Sequence, residues 1–533
     1  MKQIHIKRLS IILSLLLALS LCACGSPIST NGGNDKINSD ASVEMSDAQS
    51  TENYSSDETS SEIEISQPEE EIKTQQISHE NLRYVMIYNP KIYKEDNKYN
   101  GNLNTGFLGE QIDTTMTKSD GLDSSSDYPF LPFEQGSIDP DIPFDEINWD
   151  GDRGEIVMPT YSVGDEKSFY CFDIKMNRTL KDFTCLYAGQ YCNVWSYDNN
   201  FNSYAALIYG MAFDEDIYTQ MLESFGSARF TENGGKVNLL FYPMADGLAG
   251  CYTTADLFSN TEVTENMIAT YGLNTNYAIL NINSSYAIYQ DFVELMCSTM
   301  AHEFQHLICA TDSIYALNSK FCSSWLNEAM SGYAEEKLYP GAKELGGHYT
   351  AFAKSDRIRN GQSLYNFETD ENDIGVYGSV YLFAEYLANL TVNNTVYRDF
   401  HNDWRESYSK TICDEEGLYS VVPSSVIDEI MASIKFSDNI TFKNKQEELM
   451  SKITLDFYLS LLSNGEGTPS AYDKVDPFTL LYDEVGAAKI EGGGRVIIAL
   501  KDNIFEIPED ADEGLIYIGL DENFQPITDF ISN

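Results

Sequence analysis

Positive charge is scarce in this chain. Its 533 residues hold 34 Lys and Arg against 83 Asp and Glu, a net charge of −49 at pH 7. Nucleic-acid binding needs basic side chains that displace phosphate counterions, so no nucleic-acid partner is expected. The same deficit argues against electrostatic docking on anionic lipid. Beyond the N-terminal segment no apolar run approaches the length of a membrane-spanning helix. No internal repeat and no glycine-rich phosphate loop occurs. Histidine is rare, with six in all. Eight of the ten cysteines lie beyond Cys24, from Cys171 to Cys413. An even number permits disulfides without giving their connectivity. Their spacing is not that of a structural zinc knuckle, and no Cys–His pairing suggests a nucleophile. They read as small apolar core residues or occasional pairs.

Lys2, Lys7 and Arg8 precede a 13-residue apolar run, Leu9 to Leu21. That is right for the hydrophobic region of a signal peptide and too short for a mature span. Leu21-Cys22-Ala23-Cys24-Gly25 resembles a bacterial lipobox. The resemblance implies cleavage before Cys24, lipidation of its thiol, and a protein held by lipid on the outer face of the cytoplasmic membrane. Residues 24–80 are acidic and Ser-rich with sparse apolar positions, which predicts a disordered tether.

Residues 81–235 pattern as short strands broken by turns, among them Arg83–Tyr88, Ser168–Phe172 and Thr184–Ala188, and predict a β-rich accessory domain. Asp150, Asp152 and Glu155 invite a Ca²⁺ site, but Asp-Gly-Asp is most often a plain turn, so calcium has no support. Residues 236–465 start with strands Val237–Tyr242 and Ala278–Asn283 and continue in helical patterns, including Gly375–Leu390 and Glu447–Leu462. Residues 466–533 read as a small C-terminal β-module, with Val496–Leu500 and Leu515–Ile518 strand-like.

The chemistry concentrates in His302-Glu303-Phe304-Gln305-His306. Histidines four residues apart share one face of a helix, one turn above the other, and can reach one Zn²⁺. The glutamate after the first can then act on an activated water. Val293, Met296, Met300, Phe304 and Leu307 supply a core-facing stripe at helical spacing, and no Pro or Gly interrupts residues 291–311. A second helical pattern, Ser324 to Glu336, follows. Glu328, which follows His306 after 21 intervening residues, stands between the apolar Leu326 and Ala329 and is the candidate third ligand. Glu328, Ser331 and Glu335 share a face at i, i+3 and i+7. Glu335 and Glu336 read as solvated surface carboxylates.

HEFQH followed by WLNEAMSGYAEE resembles the gluzincin metallopeptidases, thermolysin being the familiar member, and is most similar to the hyicolysin-type neutral zinc metallopeptidases. The resemblance implies an α+β, thermolysin-like (zincin) catalytic domain, with His302, His306 and Glu328 as zinc ligands and Glu303 as general base. Two positions depart from it. Ala329 stands where relatives usually have Gly, and Gly332 where thermolysin-like enzymes carry the Asp that orients the first His. Tyr377, at the head of the 375–390 helix, is the candidate oxyanion donor, with His348 and His401 as alternatives. No Gly-x-Met-Glu-Asn segment for gripping a free amino terminus is present. The expected function is therefore a surface-anchored zinc endopeptidase acting on proteins or peptides, and its rival is a non-catalytic exported lipoprotein, a ligand-binding module or adhesin.

Overall fold

The computed structural model describes residues from Gln76 onward, continuously over 161–228, 234–315, 322–340, 375–392 and 486–527 and in shorter pieces elsewhere. The expected signal peptide, Cys24, nearly all of the tether, Asp150, Asp152, Glu155 and His348 lie outside the described residues. No helix among the described residues is long and apolar enough to cross a membrane.

Residues Ile72–Asn533 form one compact α+β unit. Strand β1 spans Tyr84–Tyr88 and β2 spans Phe133–Gln135. An antiparallel run follows: β3 (Glu166–Phe172), β4 (Arg178–Ala188) and β5 (Cys192–Ser196). Asn202 then caps helix α1 (Ser203–Ala212), its side chain accepting from the N–H groups of Tyr204 and Ala205. A π-helical turn, Phe213–Ile217, leads into α2 (Tyr218–Phe225). Next come β6 (Val237–Tyr242), β7 (Leu248–Tyr252), α3 (Glu265–Tyr271) and β8 (Ile279–Asn283). Five helices follow that matter here: α4 (Val293–Tyr315), α5 (Ser324–Leu338), α6 (Gly375–Asn389), α7 (Val396–Glu406) and α8 (Lys445–Ser463). Strands β9 (Arg495–Ala499), β10 (Ile516–Leu520) and β11 (Ile531–Ser532) close the chain.

Seven strands make the main sheet, in the order β2-β7-β8-β6-β5-β4-β3. Strands β5, β6 and β8 run parallel, whereas β7 is antiparallel to β8. A second sheet, β9-β1-β10-β11, is antiparallel throughout.

Strand pairing crosses the boundaries expected at 235/236 and 465/466. Asn193 of β5 sits opposite Asn238 of β6, and Met86 of β1 opposite both Ile497 and Ile518. The 81–235 stretch is also not β alone, since α1 and α2 lie within it. Alternation along the sequence reveals a strand but not its partner, because ladder hydrogen bonds are made between distant residues.

Helix α4 rests on β7 and β8. Its Met296, Met300, Phe304 and Leu307 are fully buried, each worth roughly 1.5–3 kcal/mol of transfer free energy. The Phe304 ring meets Phe213 and Tyr218, at 5.1 and 5.8 Å between centroids, which is how the α1–α2 region braces the helix.

A buried ion pair ties β4 to the turn before α3, and a hydrogen bond ties it to the end of that helix. Arg178 Nη2 donates to Asp256 Oδ1 at 2.5 Å, and Arg178 Nε donates to the Gly272 carbonyl at 2.9 Å. Gly272 ends α3 at φ +66°, and a Cβ there would stand 2.9 Å from both Arg178 and Tyr170. Removing the guanidinium strands a carboxylate that is 1% exposed. Arg178→Met is therefore expected to cost about 3–5 kcal/mol. The check is the thermal unfolding midpoint, which should fall by several degrees and partly recover when Asp256→Asn is added.

Candidate metal centre

Helices α4 and α5 pack side by side, and their facing residues build the site. The four-residue spacing on α4 puts His302 and His306 one turn apart, with rings 4.7 Å between centroids. Glu328 reaches them from α5. His302, His306 and Glu328 form a cluster that could hold a metal ion, with all three donor atoms within 4.8 Å of one another and all three residues buried.

The hydrogen bonds around the rings decide which nitrogens are available. His302 Nδ1 is bonded to the Glu335 carboxylate, whose other oxygen accepts from Ser298 Oγ at 3.3 Å. His306 Nδ1 lies 3.1 Å from Ser331 Oγ, and that hydroxyl donates to Gln305 Oε1 at 2.6 Å. Ser331 must then accept from His306, so its Nδ1 carries the proton. The Glu335 carboxylate likewise accepts from His302 Nδ1. With both Nδ1 atoms donating, the two Nε2 atoms face each other 3.0 Å apart. Two lone pairs so close in a dry interior repel unless a cation or proton lies between them.

The distances suit a metal ion. Bonds of 2.0–2.2 Å in tetrahedral geometry imply donor–donor edges of about 3.3–3.6 Å. The observed edges are 3.0 Å between the two nitrogens, 3.5 Å from His302 Nε2 to Glu328 Oε2 and 3.6 Å from His306 Nε2 to Glu328 Oε1. The last two are too long to be good hydrogen bonds.

The electrostatics agree. Burial pushes the His306 imidazolium down to about 4, so this ring is neutral at physiological pH. Burial acts the same way on His302, but the Glu335, Glu328 and Glu303 carboxylates outweigh it and hold His302 well above its ordinary value. Burial pushes Glu328 up, and the two histidines more than offset this, leaving it below the usual carboxylate range. A dication held at the cluster would take the place of the His302 proton.

Glu303 is fully buried beside the ligands. Strand β7 passes against it: a Cβ on Gly250 would stand 2.7 Å from Thr299 Cγ2 and 3.4 Å from Glu303 Cγ. The ring of Tyr252, on the same strand, stacks on His306 at 6.5 Å. Glu335, read from the sequence as a solvated carboxylate, is instead 2% exposed and bonded to His302. It does what the position of Gly332 cannot. Its signal was the i, i+3, i+7 series Glu328, Ser331, Glu335, all three of which face α4. Tyr377 is half-buried at the start of α6, its ring edge-on to Phe367 at 4.9 Å, and α6 packs against α5. His401 Nδ1 pairs with Asp312 Oδ2 at 2.9 Å in the core between α7 and α4.

No protein-family model matches the chain. It is similar to the neutral metalloprotease ShpI of Staphylococcus hyicus, with 28% identity over 249 residues, or 44% of this chain. That alignment covers 54% of ShpI, so the chain spans about half the length of the curated relative it matches. A metallopeptidase homologue and a His-His-Glu cluster thus point the same way.

Glu335→Ala should weaken zinc binding by roughly 10–100-fold, because nothing then fixes the His302 tautomer. Zinc titrated into metal-free protein near pH 7 should release about one proton, the one held on His302, and affinity should fall as pH is lowered. Calorimetry in two buffers of different ionisation enthalpy reads both quantities, and the proton release should shrink in the variant.

Proposed function

We propose that the chain is a zinc-dependent endopeptidase anchored at the bacterial cell surface by lipid on Cys24. The observation that carries the activity is the convergence of the His302, His306 and Glu328 donor atoms with Glu303 buried beside them. Two imidazoles and one carboxylate are one of the ligand sets of catalytic zinc sites, in which a fourth position serves water or substrate. The similarity to a neutral metalloprotease supports the same reading. The rival, a non-catalytic lipoprotein, gives the buried cluster nothing to do.

Zinc held there supplies a Lewis acid that acidifies water and polarises a carbonyl. The chain's own groups do the rest. Glu303 takes a proton from the attacking water and returns it to the departing amine nitrogen. Glu335 and Ser331 hold the two rings in the tautomers that present Nε2. Tyr377 is our candidate for donating a hydrogen bond to the oxyanion as it develops. Glycine at position 250 lets the β7 backbone pack close against Thr299 and Glu303.

Glu303 and Glu328 should fail in different ways. Glu303→Gln keeps all three ligands, so zinc should stay near one per chain while peptide hydrolysis falls by several orders of magnitude. Glu328→Ala should lose zinc on dialysis, and activity with it. Metal analysis paired with a casein-type assay reads both, and full zinc in Glu328→Ala would remove it from the ligand set. Tyr377→Phe should keep zinc and fold but lose roughly a hundred- to thousandfold in kcat. Near-normal turnover in that variant would remove Tyr377 from the reaction.

A further inference from the structure

Strand β7 has a neighbour on each edge. On one side it pairs with β8, and on the other it pairs in parallel with β2, the last strand of the sheet. Leu248, Gly250 and Cys251 lie opposite Phe133, Glu134 and Gln135, with a register shift between Leu248 and Gly250. Strand β7 adjoins the cluster through the face it turns to α4: Gly250 abuts Glu303, and Tyr252 stacks on His306.

A protease of broad reach must hold its substrate extended and must grip what every peptide has, its backbone. Adding the substrate as a strand to a sheet edge does this, since main-chain hydrogen bonds supply affinity whatever the side chains. Among the described strands β7 is the one that runs against Glu303, and its outer edge is the ladder such a peptide would use. Residues 133–135 already occupy it.

We propose that β2 is an intramolecular competitor, a segment of the chain lying on the backbone edge where an extended peptide substrate pairs, which the substrate must displace. The proposal rests on the peptidase reading above. The geometry suits displacement. Strand β2 has three residues, its register is irregular, and parallel pairing is slightly weaker per residue than antiparallel pairing. A peptide that pairs antiparallel over a longer stretch of β7 makes more and better bonds than the strand it removes.

Within a parallel ladder, alternate residues of a strand bond to a given neighbour. Glu134→Pro and the double variant Phe133→Pro/Gln135→Pro therefore cover both phases of the β2 hydrogen bonds. Each is built on the zinc-loaded full chain carrying Glu303→Gln, so that a fluorescently labelled casein-derived peptide binds without being cut. Hydrogen exchange at amides 248–252 is followed alongside, with thermal unfolding as the control for fold. In at least one variant those amides should exchange faster, and the peptide should bind roughly five- to tenfold more tightly, the equivalent of one or two fewer main-chain bonds to displace. With Glu303 restored, the same variant should show a lower KM and a kcat close to that of the parent. Unchanged exchange at 248–252 overturns the proposal, because β2 then does not cover the edge. Faster exchange with unchanged peptide affinity also overturns it, because the edge is then not where peptide binds. Tighter binding in a set of proteins none of which hydrolyses peptide would uphold the competitor and sink the endopeptidase reading.

Discussion

Two imidazole nitrogens that face each other at 3.0 Å inside a protein need positive charge between them. The rest of the site follows from meeting that need. Glu335 and Ser331 commit the opposite nitrogens of the rings as donors, which aims both lone pairs inward. Glu328 adds a negative oxygen at the same point. Each of these groups would be costly to bury alone, and a cation at the cluster would offset that cost for all of them together. The site therefore works as one electrostatic unit shared by two helices, and α4 and α5 must hold their relative positions for any part of it to make sense.

That positioning is achieved by packing on every side of α4. Below it lie β7 and β8, with a glycine at 250 where any side chain would force the strand away. Phe304 carries the load toward Phe213 and Tyr218 on another side. On α5, Trp325 sets its ring edge-on to Tyr365 at 4.8 Å, while α6 packs along the same helix. Large aromatic side chains lose little rotamer entropy for the area they bury, so they suit a scaffold whose task is rigidity.

The helical parts of this arrangement are legible in the sequence, because helix periodicity is local. Residues 293–315 and 324–338 show it; the spacing singles out His302 and His306, and the apolar neighbours Leu326 and Ala329 single out Glu328. Glu335 shares a legible helix face with Glu328, yet its pattern alone reads as solvated. Its periodicity was visible, while the burial of that face depends on α4, more than twenty residues away in sequence. Strand pairing across residues 235 and 465 is hidden from the sequence for the same reason. The aligned registers of β5 with β6, and of β1 with β9 and β10, join segments whose local patterns say nothing of each other. The helices at 203–225 went unread because the strands before them dominated the pattern of that region.

Strand β1 lies between β9 and β10 in the second sheet, so an early segment is completed by very late ones. The side-chain bond from Arg83 to Asn503 alone spans 420 residues. A chain that emerges in order, at about 5–20 residues per second, leaves β1 without its partners for roughly 20–80 s. During that interval the strand exposes both edges, and loop closure over so long a span is slow. The unit therefore cannot finish folding segment by segment as it appears. Its second sheet closes last, after every residue of the metal site has already been made.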